Sequence, residues 1–554
     1  MALFGLALLA LPAHAEDWAP GETIEKAAYV DLTPEGLNAV AELIPALLPA
    51  AIEVPATSDE GGYWCLNYAY GLSGAFADIE VTNATITPGN GALDITANLL
   101  VSLNDPSSPF SLMYELACLD DTCAGYVDGF PVTVTTSMAL EVVDTGGGTR
   151  ALDATIGTPN VSYSLSNDDI HLDGCSVGDI EEVLNLLGLS LYDLILEQLD
   201  SYLQDAIADI GPTLETTIEE AFASASINQE LELNGTVAQL SLQPNDVEVT
   251  PAGVRVQMSG FLDAASAQCV AAYDPGGSPK SPTAAPDLGT VPSGVDSAYH
   301  VALTLSDDFT NQALYALWRG GLLCYTLDEN GPFPLDTSIL NSLTGDVFAP
   351  LFPEAKPVTL QTSPKAPPTT AFDGSHAIDV NLDRLGLDMY AELDGRQAKV
   401  VTIDLSGVVG ADLAFDATTG ALGVVVDLDP AALTPTIGYN EFYPDANETI
   451  VSSFSGAFGG LVDTVVGGLL DGLSFALPAF SGIGLTDLQT AGVGADKDWL
   501  GAYAWLGPVT YAAADGCGSD GGCTSGCEGG CMSGPGAPAV WAAFAGLLLL
   551  RRRR

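Results

Sequence analysis

Four cysteines near the end of the chain are spaced closely enough to be considered as ligands of one metal ion. The segment GCGSDGGCTSGCEGGCMSGPG contains Cys517, Cys523, Cys527 and Cys531. Thiolates at short spacings can hold a structural zinc ion, which takes four Cys or His ligands. No histidine stands near them, and the surrounding Gly and Ser residues offer few groups to orient metal ligands from outside. We therefore expect no metal site here.

The rest of the sequence lacks the motifs of common enzyme classes. It has no GxSxG elbow, no HExxH, no GxxxxGK[ST] phosphate loop and no GxGxxG after a strand. His171 and His300 fall in strand-like segments, and 72 Asp and Glu residues are too many to single out an acid–base pair. We expect a protein that is not an enzyme and uses no cofactor.

The charge of the chain argues against several classes of binding partner. The 554 residues carry a formal net charge of −57 with 15 Lys and Arg, none of them between residues 27 and 149. Nucleic acids and anionic headgroups are captured by cations, so neither is expected as a partner. Hydrophobic residues make up 47% of the chain, enough for a large core. Calcium is not expected, because loops such as 166–169 lack the spaced oxygens of an EF-hand.

Both ends of the chain predict export. Residues 1–15, MALFGLALLALPAHA, are apolar and end in small residues before Glu16, as in a cleaved signal peptide. Residues 534–550 form an apolar run at the short limit for a membrane-spanning helix, and Arg551–Arg554 would stay on the cytoplasmic side. We expect a protein of the cell envelope or cell surface, anchored at least transiently by this tail.

Six further cysteines favour disulfides, because their number is even and the chain is expected to be exported. They are Cys65, Cys118, Cys123, Cys175, Cys269 and Cys324. The sequence does not choose among their pairings; proximity suggests only a small loop closed by Cys118 and Cys123 around LDDT. Catalytic thiols are disfavoured, since no histidine stands beside these cysteines.

The body of the chain alternates strands with a few helices. Segments 92–103, 230–242 and 253–262 alternate polar and apolar residues, as in sheets with one buried face, and turns are predicted at 88–91 and 244–246. One long helix is predicted late in each half. The first, 180–223, has one polar stripe and one apolar face, and the second, 450–473, is apolar almost throughout.

Two halves begin in the same way on either side of a Pro-, Gly- and Ser-rich linker, 274–297. Residues 32–38 read LTPEGLN and residues 305–311 read LSDDFTN, so Thr33 and Ser306 are predicted helix N-caps. The second helix is predicted to end at Gly320-Gly321. We therefore predict an α+β fold, an elongated pair of twisted antiparallel sheets that each wrap on a long helix and leave room for an apolar ligand.

Four stretches carry a resemblance to a known family. They are VDLTPEGLNAVAELIPALLPAAIEVP at 30–55, VEVTPAGVRVQMSGFLDA at 247–264, HVALTLSDDFTNQALYALWRGGLL at 300–323 and LSFALPAFSGIGLTDLQ at 473–489. In order and spacing they resemble the tubular lipid-binding proteins related to bactericidal permeability-increasing protein, lipopolysaccharide-binding protein and cholesteryl ester transfer protein. The resemblance covers about residues 26–510. It implies a boomerang of two barrels joined by a central sheet, with an apolar pocket for acyl chains in each barrel.

The tail carries a second resemblance. A Cys- and Gly-rich segment, a short apolar helix and an Arg cluster follow one another as in the C-terminal sorting tails of myxobacterial surface proteins. This resemblance implies a membrane protease as a partner and makes the four tail cysteines the region of processing or attachment.

These expectations divide the chain into six parts. They are a signal peptide (1–15), an N-terminal lipid-binding barrel (16–273), the linker (274–297), a C-terminal lipid-binding barrel (298–510), the Cys- and Gly-rich segment (511–533) and the sorting tail (534–554).

The expected function is non-enzymatic binding, or transfer, of a phospholipid or other acyl-chain ligand. The predicted lining of the N-terminal pocket is Leu37, Val40, Ile44, Leu191, Leu194, Ile195 and Tyr202. The predicted lining of the C-terminal pocket is Phe309, Leu317, Phe454, Phe458, Leu461 and Val465. Because the basic tip of the antibacterial family members has no counterpart in residues 27–149, neutralisation of endotoxin is not expected.

Two alternatives stay open. The chain could be a surface-displayed adhesion or structural module whose core is filled by its own side chains. It could also act in defence by sequestering lipid, which the sequence does not separate from transport.

Overall fold

The structure, a computed structural model, consists mostly of β-sheet with few helices. It describes residues 17–42, 44–47, 51–54, 56–61, 68–116, 119–165, 169–174, 227–233, 236–281, 284–287, 291–296, 298–328, 335–456, 474–476 and 483–511. Strands and helices are numbered along the chain. The described strands form three sheets in which the pairings are antiparallel, as the alternating segments predict.

A seven-stranded central sheet joins the two halves of the chain. In spatial order its strands are β12 (Ile227–Leu233), β13 (Thr236–Thr250), β14 (Gly253–Ala264), β1 (Ile24–Leu32), β15 (Val301–Ser306), β25 (Trp499–Pro508) and β24 (Ile483–Val493). The first strands of the two halves, β1 and β15, lie side by side, and each is flanked by the last hairpin of its own half. The halves therefore meet about an approximate two-fold axis near the pair Val30 and Leu303.

A ten-stranded sheet belongs to the first half. Its strands are β2 (Ala51–Val54), β3 (Thr57–Gly61), β4 (Tyr68–Ser73), β5 (Ala75–Pro88), β6 (Leu93–Leu103), β7 (Phe110–Leu116), β8 (Leu119–Gly146), β9 (Thr149–Ile156), β10 (Asn160–Tyr163) and β11 (Ile170–Asp173). The 28-residue β8 runs along most of the sheet and pairs with β6, β7, β9, β10 and β11.

An eight-stranded sheet belongs to the second half. Its strands are β16 (Thr326–Leu327), β17 (Val358–Pro364), β18 (Thr369–Ala371), β19 (Ile378–Leu393), β20 (Arg396–Asp416), β21 (Ala421–Asp427), β22 (Leu433–Tyr439) and β23 (Ser474–Ala476). The long hairpin of β19 and β20 is its centre.

The named α-helices are short. They are α1 (Pro34–Ala41), α2 (Ile44–Leu47), α3 (Asp307–Arg319) and α4 (Thr337–Thr344). Both predicted caps are confirmed: Thr33 Oγ1 accepts from the Gly36 amide at 3.1 Å, and Ser306 Oγ accepts from the Phe309 amide at 3.2 Å. Helix α3 ends at Arg319 with Gly320 as its C-cap, and Gly321 has a positive φ of 87°, as the glycine pair predicts.

The two cap hydroxyls also join the halves. Thr33 Oγ1 donates to the carbonyl of Tyr299 at 2.8 Å, and Ser306 Oγ donates to the carbonyl of Ala27 at 3.2 Å. The start of α1 is thus bonded to the chain just before β15, and the start of α3 is bonded to β1. Gly36 permits this approach, because a Cβ there would collide with the His300 carbonyl.

Three sequence predictions need correction. Segment 230–242 was expected as one strand, but β12 ends at Leu233 and β13 begins at Thr236, with these two residues paired. The intervening Asn-Gly is a strong hairpin signal. Residues 244–246 do not form a turn but a bulge within β13, where the register shifts. The LDDT segment, expected inside a small loop closed by Cys118 and Cys123, lies in the extended strand β8.

The linker packs against the central sheet. The carbonyl of Ala284 accepts from Trp499 Nε1 at 2.8 Å, and Arg255 donates to the carbonyl of Pro286.

A disulfide joins Cys269, just after β14, to Cys324, just after α3. Cys123 is also disulfide-bonded, whereas Cys118, expected as its partner, lies outside the described residues.

Several predicted segments fall outside the described residues. They are the signal peptide, helix 180–223, and the tail from 512 onward. Of the predicted helix 450–473, residues 450–456 are helical, within a helix described from 447 to 456. Within the part of the chain that the structure describes, no helix is both long and apolar enough to span a membrane.

Candidate functional site

An apolar face runs the length of the ten-stranded sheet. Along β6 every second side chain points inward and is buried: Leu93, Ile95, Ala97, Leu99, Val101 and Leu103. Asp94, Thr96 and Asn98 alternate with them on the outer face. Eleven residues of strand give this stripe a length of about 33 Å.

The neighbouring strands extend the stripe into two clusters. At one end, Leu93 and Ile95 pack with Met138 and Leu140 of β8 in the core that they share with the central sheet. At the other end, a separate cluster contains Leu99, Val101, Phe110, Leu112, Val127, Phe130 and Val132. The inner face of the ten-stranded sheet is therefore apolar from the central sheet to its far end.

The eight-stranded sheet has a similar inner face. Leu387, Met389 and Ala391 on β19 lie beside Val401, Ile403 and Leu405 on β20 in one buried cluster. Leu340 of α4, together with Ile450 and Phe454 of helix 447–456, packs on this face. Here helices already cover the apolar strands.

The structure places six of the thirteen predicted pocket residues. Leu37, Ile44 and Phe309 lie in the core of the central sheet, with Val40 and Leu317 packed against it. These five residues, predicted to line two separate pockets, thus share one cluster. Phe454 lies in the cluster of the eight-stranded sheet and is 1% exposed.

The other predicted residues lie outside the described residues. They are Leu191, Leu194, Ile195, Tyr202, Phe458, Leu461, Val465 and the tail cysteines Cys517, Cys523, Cys527 and Cys531. The inner faces of β6, β8, β19 and β20 were missed as candidates. The period-two alternation that predicts these strands also marks their apolar side chains as one face, and it is the signal that could have found them.

A buried ion pair lies on the other face of the central sheet. Arg255 forms a bidentate ion pair with Asp31, at 2.7 and 2.6 Å, and its guanidinium lies 4.8 Å from the centre of the Tyr29 ring. Burial raises the pKa of Asp31, against the opposing effect of its bonds to Arg255. Burial also raises the pKa of the nearby Tyr299 to about 12. Within the described ranges, no three His, Cys, Asp or Glu side chains are grouped to hold a metal ion.

Comparison with known proteins leaves the family open. No protein-family model matches the chain, and no curated protein matches it either. Among solved structures, a lipopolysaccharide binding protein is similar with 14% identity and a TM-score of 0.47, over 89% of this chain and 100% of the other. P47 of Clostridium botulinum E1 is similar with 9% identity and a TM-score of 0.24, over 88% of this chain and 100% of the other. Similarity at this level assigns neither family nor ligand.

Proposed function

We propose that this protein binds a lipid or another apolar ligand, without enzymatic chemistry, against the inner faces of its two outer sheets. One observation carries the proposal: the apolar stripe along β6 and β8, about 33 Å long, continues into the core of the central sheet. A face of this length suits an extended acyl chain better than a compact polar ligand.

Recognition would rest on the apolar part of the ligand. Residues 27–149, which include the ten-stranded sheet up to β8, contain no Lys or Arg to hold an anionic headgroup. Burying an acyl chain contributes about 0.8 kcal/mol per methylene, so a long chain needs no charged anchor. The proposed ligand is a phospholipid or other acyl-chain molecule, and transfer between membranes is the proposed use.

The finer architecture and the location are proposals as well. Each outer sheet would wrap on a late helix as one barrel of a boomerang, and helix 447–456 on the eight-stranded sheet supports this for the second half. The chain would be exported to the bacterial cell envelope, where a sorting protease acts on its cysteine-rich tail.

The test is mass spectrometry of organic extracts from the chain purified after export, so that its disulfides can form. We expect a stoichiometric acyl-chain molecule that is absent from a mock purification. A clean extract, followed by no uptake of a fluorescent phospholipid from neutral vesicles, would refute the proposal.

A second candidate is a surface structural or adhesion module with a filled core. The deep burial of Leu37 and Phe309, each 3% exposed, and of Phe454 favours this reading, because such residues already have protein partners. The clean extract that would refute lipid binding is the result that this candidate predicts.

A further inference from the structure

His376 lies where the eight-stranded sheet meets the central sheet. It stands in the connection 372–377 between β18 and β19. Phe372 and Ala377, at the two ends of this connection, are buried in the core of the central sheet. The Phe372 carbonyl lies so close to Gly492 of β24 that a Cβ there would collide with it. The connection is therefore a contact between the two sheets.

Three neighbouring strands present carboxylates to His376. Its Nδ1 lies 2.8 Å from Asp412 Oδ2 of β20, and its Nε2 lies 3.6 Å from Asp427 Oδ2 of β21. Gly410 is paired with Asp379 on one side and Asp427 on the other, and the imidazole ring occupies the space that a side chain at Gly410 would fill. The ring thus lies in a row of acids across three strands.

The arrangement fits the imidazolium form. Neutral histidine has one N–H group and no charge, whereas imidazolium has an N–H group on each nitrogen and a positive charge. In that form Nδ1 donates to Asp412, and the ring is attracted to Asp427 at 3.6 Å. Asp379 Oδ1 is buried without a hydrogen-bond partner among the described residues, which adds a third acid that needs a nearby cation. The hydrogen bond to Asp412 raises the pKa of His376, and Asp427 and Asp379 act in the same direction.

Other charged groups near the connection 372–377 do not offset the negative charge around the His376 ring. Asp373 in the same connection is exposed and adds negative charge. On the central sheet side, Lys497 Nζ donates to the Gly492 carbonyl at 2.6 Å. Among the described groups packed on the ring, those facing it from β19, β20 and β21 are all acids.

We propose that His376 is a pH-dependent latch that holds the connection 372–377 closed when protonated and releases it when neutral. Release leaves three aspartates facing one another without a cation and loosens the contact between the eight-stranded and central sheets. If the lipid-binding function holds, the latch would control ligand exchange at this end of the second half.

The direction of the pH dependence follows from the pKa of His376 in the folded protein. Because that pKa lies above the ordinary value of 6.5, the stabilising contribution of the charged histidine is fully present below 6.5. It is lost as the pH rises through the raised pKa. The connection is therefore closed in mildly acidic solution and open in alkaline solution.

Two measurements on the full chain test the latch without any lipid. In an NMR titration of labelled histidines, His376, assigned by the signal missing from His376→Asn, should titrate with a midpoint above 6.5. In hydrogen exchange corrected for the intrinsic effect of pH, peptides covering 369–382 should lose protection through the same pH range, while β1 stays protected. In His376→Asn the peptides should be unprotected at every pH.

His171 provides the matched control. It is a half-buried histidine paired with a single carboxylate, Asp128 at 2.7 Å, in the other half of the chain. His171→Asn should leave the exchange step of 369–382 in place. A second variant, Asp427→Asn, removes an exposed carboxylate beside Nε2 and should move both the titration midpoint and the exchange step to lower pH.

A midpoint at or below 6.5, or an exchange step that persists in His376→Asn, would overturn the latch. If His376→Asn does not fold, an unchanged midpoint in Asp427→Asn would overturn it instead. Lipid uptake is a separate readout: a pH step in exchange with no lipid bound would leave the latch in place and refute the proposed function alone.

Discussion

At the scale of single residues, Leu99 and Leu100 show how β6 separates its two faces. They are neighbours in sequence and identical in type, yet Leu99 is 5% exposed within the inner cluster and Leu100 is 38% exposed on the outer face. If the inner face binds lipid, only the first should matter for uptake.

We expect Leu99→Gln to reduce the uptake of a fluorescent phospholipid severalfold and Leu100→Gln to leave it unchanged. The amide would place an unpaired polar group on the apolar face, where it costs roughly 1–3 kcal/mol. Uptake is compared at equal concentrations of the two variants, after circular dichroism has shown that both are folded. Equal uptake by the two folded variants would count against the inner face as the binding surface.

Removing one partner of the pair Arg255 and Asp31 should strongly lower the stability of the protein. Both side chains are almost fully buried, so Arg255→Met leaves an uncompensated carboxylate inside the protein. We expect a loss of about 3–5 kcal/mol in the free energy of unfolding by urea. The double variant Asp31→Leu with Arg255→Met should recover much of it.

The control is Arg384→Met, which breaks an exposed pair with Asp383. Exposed pairs contribute about 0–1 kcal/mol, so the change in unfolding should be small. Similar losses in Arg255→Met and Arg384→Met would show that burial does not govern the effect.

At the scale of secondary-structure elements, the N-caps of α1 and α3 serve both halves at once. Their hydroxyls accept from their own helix and donate to the chain of the other half. Loss of such a hydroxyl removes a cap and also leaves a carbonyl of the opposite half without that donor.

We expect Thr33→Ala to lower stability by about 1–2 kcal/mol and to reduce exchange protection in β15, which belongs to the other half. Ser306→Ala should act likewise on β1. Asp336→Ala is the control, because Asp336 caps α4 by accepting from Ser338 and Ile339. Effects of Thr33→Ala confined to α1 would contradict a role of the cap in joining the halves.

At the scale of the whole molecule, the disulfide between Cys269 and Cys324 ties the end of β14 to the end of α3. It closes a loop with a sequence separation of 55 that contains the packed linker. A cross-link of this span stabilises by about 4 kcal/mol in the chain-entropy account, because it restricts the unfolded chain.

We expect the double variant Cys269→Ser, Cys324→Ser to unfold at a lower temperature and at lower urea concentration than the parent. Mass spectrometry should confirm that Cys123 is still oxidised in the variant, so that only one cross-link is removed. An unchanged midpoint would mean that the sheet contacts alone fix this region.

The local features of this protein could be predicted from its sequence. Capping hydroxyls at Thr33 and Ser306, the glycine stop after α3 and the alternation in 92–103 depend on residues close together in the chain, and each appears as predicted. The similar starts of the two halves, at 32–38 and 305–311, came from the same local patterns. The pairing of Leu233 with Thr236 has an equally local signal in the Asn-Gly sequence between them, but the alternation on both sides predicted a single strand.

Which distant segments meet could not be predicted in this way, because it depends on the fold. The pairing of β1 with β15 across about 270 residues, the burial of Arg255 on Asp31 and the row of acids around His376 depend on strand order and register, which local periodicity does not encode. The same reason explains the placement of Leu37 and Phe309 in one core rather than in two pockets: the two halves share a sheet, and their first helices pack where that sheet joins them.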